Sequence, residues 1–309
     1  CSGVITHLIN KSLMDGCYPT AWKKSVVVPL PKVPNASTAS QFRPISLLPT
    51  ISKVMEKVVT EQIISYIENE KIVSETQSGF RRGFSTCSAL LNMVDEVCRA
   101  RNNKMCSVVA ALDYRQAFDS VNHDVLLAKL KFYGFDDLSL RWFSSYLRGR
   151  SQVTKVDGQF SEWLPKAVGV PQGSCLGPIL FILYVAGLDS QLNFCSLHAY
   201  ADDCQLLLSY HPSEANEAGI QLRNDLLAVS EWSEDHGLRL NPEKCSVMHF
   251  GKQTLNADMG NISLNSVDLL RCDRLKILGV SIDSELTFNS QIELIHRRVM
   301  CKLRMLYRL

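Results

Sequence analysis

The tetrapeptide Tyr200-Ala201-Asp202-Asp203 lies between two apolar, β-prone runs, Phe194 to Tyr200 and Cys204 to Tyr210. No other stretch restricts the fold as tightly. Such runs, bounded by a turn, read as strand, tight turn, strand. The turn carries two adjacent carboxylates, which repel each other and gain nothing from burial. A cation relieves that repulsion, and Mg²⁺ takes carboxylate oxygens together with substrate phosphates. An Asp pair in a turn is ordinary when it stands alone, because exposed Asp is common there.

A second run removes that isolation. Cys106 to Asp113 (CSVVAALD) is a short apolar segment that ends on an acid and reads as a buried strand. If both strands share a sheet, Asp113 stands beside the Asp202-Asp203 turn. Three carboxylates from two strand ends then make a pocket for two Mg²⁺ ions. One ion would activate an attacking 3′-hydroxyl and the other would hold a triphosphate and its leaving group.

Around these strands the apolar spacing alternates between helical and extended. Ile51 to Glu70 repeats at helical spacing through Val54, Met55, Val58, Ile63 and Ile67. Ser85 or Thr86 caps a second helix whose stripe is Leu90, Val94 and Val97. Helices are predicted from Asp124 to Tyr133, with Gly134 as the stop, and from Leu138 to Leu147. Gln152 to Lys166 reads as a hairpin around Asp157-Gly158. Leu176 to Leu188 is apolar nearly all round, as a buried helix requires. A helix from Glu214 to His236, strands Cys245 to Phe250 and Leu275 to Ile282, and a basic terminal helix complete the pattern. Mixed helix and antiparallel sheet place the chain in the α+β class.

Composition limits the choices further. With 309 residues, 46% hydrophobic and 21% charged, the chain has material for a substantial core, in about two domains or one with subdomains. The formal net charge of +2 does not announce a nucleic-acid binder. Basic residues cluster locally at Lys23-Lys24, Arg81-Arg82, Arg148 with Arg150, and Arg297, Arg298, Lys302, Arg304 and Arg308, where a basic face would track phosphates. The eleven cysteines are scattered singly without metal-finger spacing, so reduced thiols in an intracellular protein of cytoplasm or nucleus are expected. The most apolar stretch, Pro178 to Gly187, is about half the ~20 residues of a membrane helix. The chain opens on Cys1 and stops inside a helical pattern at Leu309, as a fragment would.

Taken in order, the motifs resemble those of the reverse transcriptase domain of non-LTR (LINE-like) retrotransposons. Phe42-Arg43-Pro44-Ile45-Ser46-Leu47 resembles the first block and Gln77-Ser78-Gly79-Phe80-Arg81 the second. Leu112-Asp113-Tyr114-Arg115-Gln116-Ala117-Phe118-Asp119 resembles the palm motif with the first metal-binding acid, although such elements more often have Leu-Ser-Lys at 114–116. Gly169-Val170-Pro171-Gln172-Gly173-Ser174 resembles the nucleotide-pocket block. Tyr200-Ala201-Asp202-Asp203 is similar to the hallmark turn, and Leu240-Asn241-Pro242-Glu243-Lys244 and Leu278-Gly279-Val280 to the last two palm blocks. The ordered set spans roughly Pro29 to Ile282.

The resemblance implies a right-hand polymerase fold with a mainly antiparallel palm sheet. Residues 1–105 would form the fingers, 106–285 the palm with interleaved fingers elements, and 286–309 the start of a thumb or connection. It implies an RNA-directed DNA polymerase that extends a DNA primer on an RNA template from dNTPs, with two Mg²⁺ ions or substituting Mn²⁺. Asp113 and Asp202 would be metal ligands, Asp203 a ligand or a supporting carboxylate, and the Tyr114 carbonyl a further ligand. Lys32 and Arg43 would reach the incoming triphosphate, and Gln172 would line the nucleotide pocket. Gly169 and Gly173 would permit close backbone approach. Lys244 would protonate departing pyrophosphate, and Leu278-Gly279-Val280 would be the hairpin holding the primer end. Phe118, five residues after Asp113, would exclude a ribose 2′-hydroxyl. His123 and His198 are expected to be structural.

Two other readings use the same motifs. An RNA-dependent RNA polymerase shares palm and metals but typically carries Gly before its Asp pair, where this chain has Ala201, and a polar ribose pocket, where it has Phe118. A non-enzymatic, RNA-binding descendant would be marked by loss of an acid, and all three are present.

Overall fold

A computed structural model describes residues 2–251 and 259–307. The chain divides into two compact units, each assembled from separate stretches. The first comprises Cys1–Ser74, Gln116–Gly187 and Ser233–Arg239, and the second Glu75–Arg115, Leu188–Trp232 and Leu240–Leu309. Arg308 of the terminal basic group lies outside the described residues.

In the second unit, the run Cys106–Leu112 is buried at every position except Ala111. Its residues are apolar but for Ser107, whose hydroxyl bonds that of Ser209 at 2.9 Å, so neither face is suited to water. It is the middle strand of a five-stranded sheet ordered Leu270–Arg271, Ser246–Phe250, Cys106–Leu112, Asp203–Tyr210, Ser196–Tyr200. Its pairings with Ser246–Phe250 and Asp203–Tyr210 are antiparallel, as is that of Asp203–Tyr210 with Ser196–Tyr200. One face is covered by helix Thr86–Asn102. Ser85 caps it by accepting from the Ser88 N–H, while the Ser88 hydroxyl accepts from the Ser85 N–H. Met93 and Val97 of that helix pack with Val109, Leu207, Met248 and Phe250. Asp225, fully buried on helix Ala215–Asp235, accepts from the N–H groups of Asn193, Phe194 and Cys195 at 3.0, 3.0 and 2.7 Å. It thereby anchors the entry to strand Ser196–Tyr200.

The expected strand from Leu275 to Ile282 is instead a hairpin, Arg274–Ile277 against Val280–Asp283. Leu278 and Gly279 both take positive φ, +49° and +86°, the pair of values that a two-residue hairpin turn demands. The apolar residues on either side gave a continuous β signal and hid the break. Helix Asn289–Leu306 has no buried residue, and Ile292, Ile295, Val299 and Leu303 are exposed on it.

The first unit holds helices Ser2–Asp15, Thr50–Asn69, His123–Phe132, Asp137–Leu147 and Leu176–Val185. In its sheet Lys24–Pro31 pairs antiparallel with Phe42–Leu47 and parallel with Arg150–Val156. Asp157 and Gly158, with φ of +49° and +82°, make the turn expected between Arg150–Val156 and Gln159–Phe160. Helix Leu176–Val185 is buried at every position but Pro178. It stops short of the predicted Leu188 because Ala186 turns extended and its freed carbonyls find other donors. The Lys129 ammonium reaches the carbonyls of Tyr184 and Ala186 at 2.5 and 2.9 Å. Arg150, grouped above with exposed basic residues, is 4% exposed, and its guanidinium lies 5.0 Å from the Tyr146 ring centre. Tyr146, four positions away, and Tyr18, far away in the chain, supply the rings around it, and the Tyr146 carbonyl accepts from its guanidinium at 2.9 Å.

Candidate active site

Register places the acids of the second unit. Leu112 pairs with Cys204 and Tyr200 with Asp203, so one further step along the ladder sets Asp113 across from Asp203. Asp113 is fixed by its neighbours from the 240–245 segment. Its N–H donates to the Cys245 sulfur at 3.4 Å, and its carbonyl accepts from the Asn241 N–H at 2.8 Å. Its Oδ2 accepts from the Asn241 side-chain amide at 3.4 Å and lies 3.7 Å from the Lys244 ammonium. Arg115 in turn donates to the side-chain oxygen Oδ1 of Asn241 at 3.3 Å.

Asp113, Asp203, Gln205, Lys244 and Gly279 line one cavity of about 390 Å³. The structure therefore brings Asp113, Asp203 and Lys244 together, beside the Leu278-Gly279 turn. Asp202, half-buried, is the second residue of the hairpin loop itself. Burial, followed by the negative charges of Asp202 and Asp203, pushes the Cys204 thiol up to about 12. Burial is the larger cause, and the two adjacent carboxylates add to it. Among the described residues no three His, Cys, Asp or Glu side chains are already gathered as a metal-holding group. The donor set nevertheless fits a hard divalent cation. Mg²⁺ keeps several waters and is usually held by one or two carboxylates plus substrate phosphates, and two carboxylates here open onto a cavity with room for both.

The first unit holds the residues expected at the nucleotide. Phe118 stacks on buried Phe181, with ring centres 4.5 Å apart and planes inclined by 24°. The Gln172 amide donates to Asp119 at 2.6 Å, and Lys166 donates to the other oxygen of that carboxylate at 2.8 Å. Gly169 has φ +82°, and a Cβ there would stand 2.7 Å from the Asp119 backbone. At Gly173, φ +112°, it would meet the Ser46 carbonyl at 2.7 Å. Both glycines are required by close backbone approach. Lys32 is spent locally on the Ser40 carbonyl at 3.0 Å, and Arg43 is an exposed residue of strand Phe42–Leu47. Among the described residues, neither lines the cavity beside Asp119 and Lys166. Tyr114 is buried.

The two histidines have structural partners. His123 bonds the Gly169 carbonyl at 2.8 Å and His198 the Glu96 carboxylate at 2.9 Å. Three residues escaped sequence reasoning: Asn241 behind Asp113, Asp119 behind Gln172, and Gln77, whose side chain contacts Ala201. All lie inside the motifs named above, which is the available signal, but their partners stand 53 to 128 positions away.

The sheet is mainly antiparallel, and Asp113 and Asp203 stand at the ends of two adjacent strands of it. The family model "Reverse transcriptase (RNA-dependent DNA polymerase)" matches residues 30–282, and the chain belongs to that family. The chain is 33% identical over 294 residues to the RNA-directed DNA polymerase from mobile element jockey of Drosophila melanogaster, covering 92% of this chain and 32% of that protein. It is 30% identical over 306 residues to the probable RNA-directed DNA polymerase from transposon BS of the same organism, covering 94% and 33%. The chain thus spans about a third of the length of the curated relatives it matches. Among solved structures, telomerase from Candida albicans, in complex with a fragment of telomeric RNA, aligns with a TM-score of 0.59 at 14% identity. That alignment covers 88% of this chain and 48% of the telomerase chain. Apo telomerase from Candida tropicalis, truncated of its C-terminal domain, aligns at 0.54 and 11%, covering 87% and 55%. The fold is that of the right-hand polymerases.

Proposed function

We propose that this chain is the polymerising part of an RNA-directed DNA polymerase of a non-LTR retrotransposon, extending a DNA primer on an RNA template with dNTPs. The observation that carries the reading is the cavity shared by Asp113, Asp203 and Lys244, inside the stretch that matches the family. Asp113, Asp202 and Asp203 are the carboxylates that would hold two Mg²⁺ ions, with Mn²⁺ a possible substitute and the Tyr114 carbonyl a further ligand. When bound, the metal supplies activation of the primer 3′-hydroxyl and charge neutralisation of the triphosphate.

The chain's own groups do the rest. Asn241 and Lys244 hold the Asp113 carboxylate in one orientation. Lys244 carries a proton at Nζ that it gives to the departing pyrophosphate oxygen, a general-acid role. Lys32 and Arg43 bind triphosphate oxygens by charge, and Gln172 is set for the nucleotide by its bond to Asp119. The Phe118 ring, stiffened by its stack on Phe181, rejects a 2′-hydroxyl. Residues 1–105, 106–285 and 286–309 correspond in this reading to fingers, palm and the start of a thumb. The exposed basic residues Arg297, Arg298, Lys302 and Arg304 on helix Asn289–Leu306 meet backbone phosphates, and the place of action is intracellular.

Primer extension on an RNA template tests the proposal, with Mg²⁺ added or chelated and with Asp113→Asn alongside. Metal-dependent extension that the variant loses supports it. Extension without divalent metal, or undiminished in the variant, overturns it.

A further inference from the structure

Ala201, the residue before Asp202, takes φ +59° although it carries a Cβ, a left-handed conformation unfavourable for an L-residue other than glycine. It is also 4% exposed, so its backbone groups need partners within the protein. Segment 76–79 supplies them. The Gln77 side-chain oxygen accepts from the N–H of Ala201 at 2.8 Å and from the N–H of Gly79 at 2.9 Å, and its amide donates to the Ala201 carbonyl at 3.4 Å. Gln77 itself is 7% exposed. The same segment runs parallel beside strand Ser196–Tyr200. The Ala199 N–H donates to the Thr76 carbonyl at 2.9 Å, and the Ser78 N–H to the Ala199 carbonyl at 2.8 Å. A Cβ on Gly79 would stand 2.5 Å from the Ala201 nitrogen, so only glycine lets the segment lie this close.

We propose that Gln77 is a positioning residue for the catalytic acids. Its side chain grips both backbone groups of Ala201, holds that residue in the left-handed conformation, and so aims the carboxylates of Asp202 and Asp203. Without the grip, the Ala201 peptide relaxes toward a lower-energy conformation and both acids rotate with it. Gly79 is the second half of the device, because its missing side chain allows the approach. The proposal rests on the reading of Asp202 and Asp203 as metal-holding acids.

The test uses the whole chain with four variants. Gln77→Met keeps the volume but removes all three bonds. Gln77→Glu keeps an acceptor for the Ala201 and Gly79 N–H groups. Gly79→Ala pushes on the Ala201 nitrogen from the other side, and Asp202→Asn is the control for the acids. Hydrogen exchange over 200–203, Mn²⁺ binding followed by electron paramagnetic resonance, and the Mg²⁺ dependence of primer extension are read for each, with a melting curve. For Gln77→Met and Gly79→Ala we expect faster exchange at Ala201. Half-saturating Mg²⁺ and the Mn²⁺ dissociation constant should rise about 10-fold, the usual scale for losing a partner behind a metal ligand. Melting should change little, and Gln77→Glu should keep the Ala201 amide protected. Faster exchange with unaltered metal requirement and Mn²⁺ binding would make Gln77 merely structural and overturn the proposal, as would unaltered exchange at Ala201. Full extension by Asp202→Asn would instead remove the acid reading, and exchange at Ala201 would still report on the grip.

Discussion

Asp113 and Asp203 reach their cavity through strand register, whereas Phe118 and Gln172 are held by loop contacts in a different unit. The acids stand at the ends of adjacent strands whose ladder fixes them over seven paired residues, Cys106↔Tyr210 to Leu112↔Cys204. A slip of one residue would turn every side chain of Cys106–Leu112 to the opposite face and move Asp113 away from Asp203, so the register of this ladder sets the acids' position. Gln172 depends instead on one carboxylate, Asp119, shared with Lys166. Removing a carboxylate from the first group should therefore destroy chemistry and spare the fold. Removing a link from the second should alter nucleotide handling by degrees.

The strongest way to break that contrast is Asp113→Asn. The shape is kept and one negative charge is lost, so melting should hold or rise slightly while the extension rate falls by about 10²–10³-fold. Comparable loss of stability and rate would show that Asp113 serves the fold. Phe118→Ala comes next. As a gate, it should raise ribonucleotide incorporation relative to deoxynucleotide by roughly 10–100-fold, or about 1.4–2.8 kcal/mol. Losing its stack on Phe181 should cost about 1–2 kcal/mol of stability, because the ring is only half-buried. An unchanged dNTP:rNTP ratio in single-nucleotide extension would return Phe118 to a packing role.

Asp119→Ala sharpens the comparison from the other side. It frees Gln172 and Lys166 together, and the KM for dNTP should rise about 5–10-fold with kcat much less affected. Equal loss in kcat and kcat/KM would put this network in the chemical step rather than in binding.

The smallest expected effect separates the units by pH. His249, on strand Ser246–Phe250, is held down to about 4 by burial and then by the positive charge of Arg271, which lies 3.0 Å from its Nε2. Its folded value is below the ordinary one, so the unfolded chain binds the extra proton first. Stability is then lost as pH falls through about 6.5 toward about 4. The loss between about pH 7 and about pH 5.5 should be about 1 kcal/mol, and His249→Gln should remove that part of the slope. His123 in the first unit is also lowered, by burial, so exchange measured separately over strand Ser246–Phe250 and helix His123–Phe132 tells which unit loosens first. An identical pH slope in wild type and His249→Gln would show that this histidine does not contribute.

Much of the secondary structure was legible because its signals are local. The apolar spacing of Ile51 to Glu70 announced helix Thr50–Asn69, Ser85 announced a cap, and Asp157-Gly158 announced a turn. The failures share one cause. The single strand expected from Leu275 to Ile282 and the helix expected to run on to Leu188 rest on apolar continuity, which does not register where the backbone turns. Leu278 takes positive φ at the turn of a hairpin whose Ile277 and Ile282 pack with Met93, Val109 and Met248, an influence that no window of sequence contains.

The amino-acid sequence alone set the chemistry on offer: two β-prone runs that must be buried, acids at their ends, and glycines at 169 and 173 that can take positive φ. Those are properties of single residues and their immediate neighbours. Only the tertiary structure decided that Asp203 rather than Asp202 shares a cavity with Asp113, that Arg150 is buried, and that Gln77 grips a turn 124 residues away. Register, desolvation and hydrogen-bond partnership depend on which distant segments meet, and folding brings those segments together only when the whole core forms.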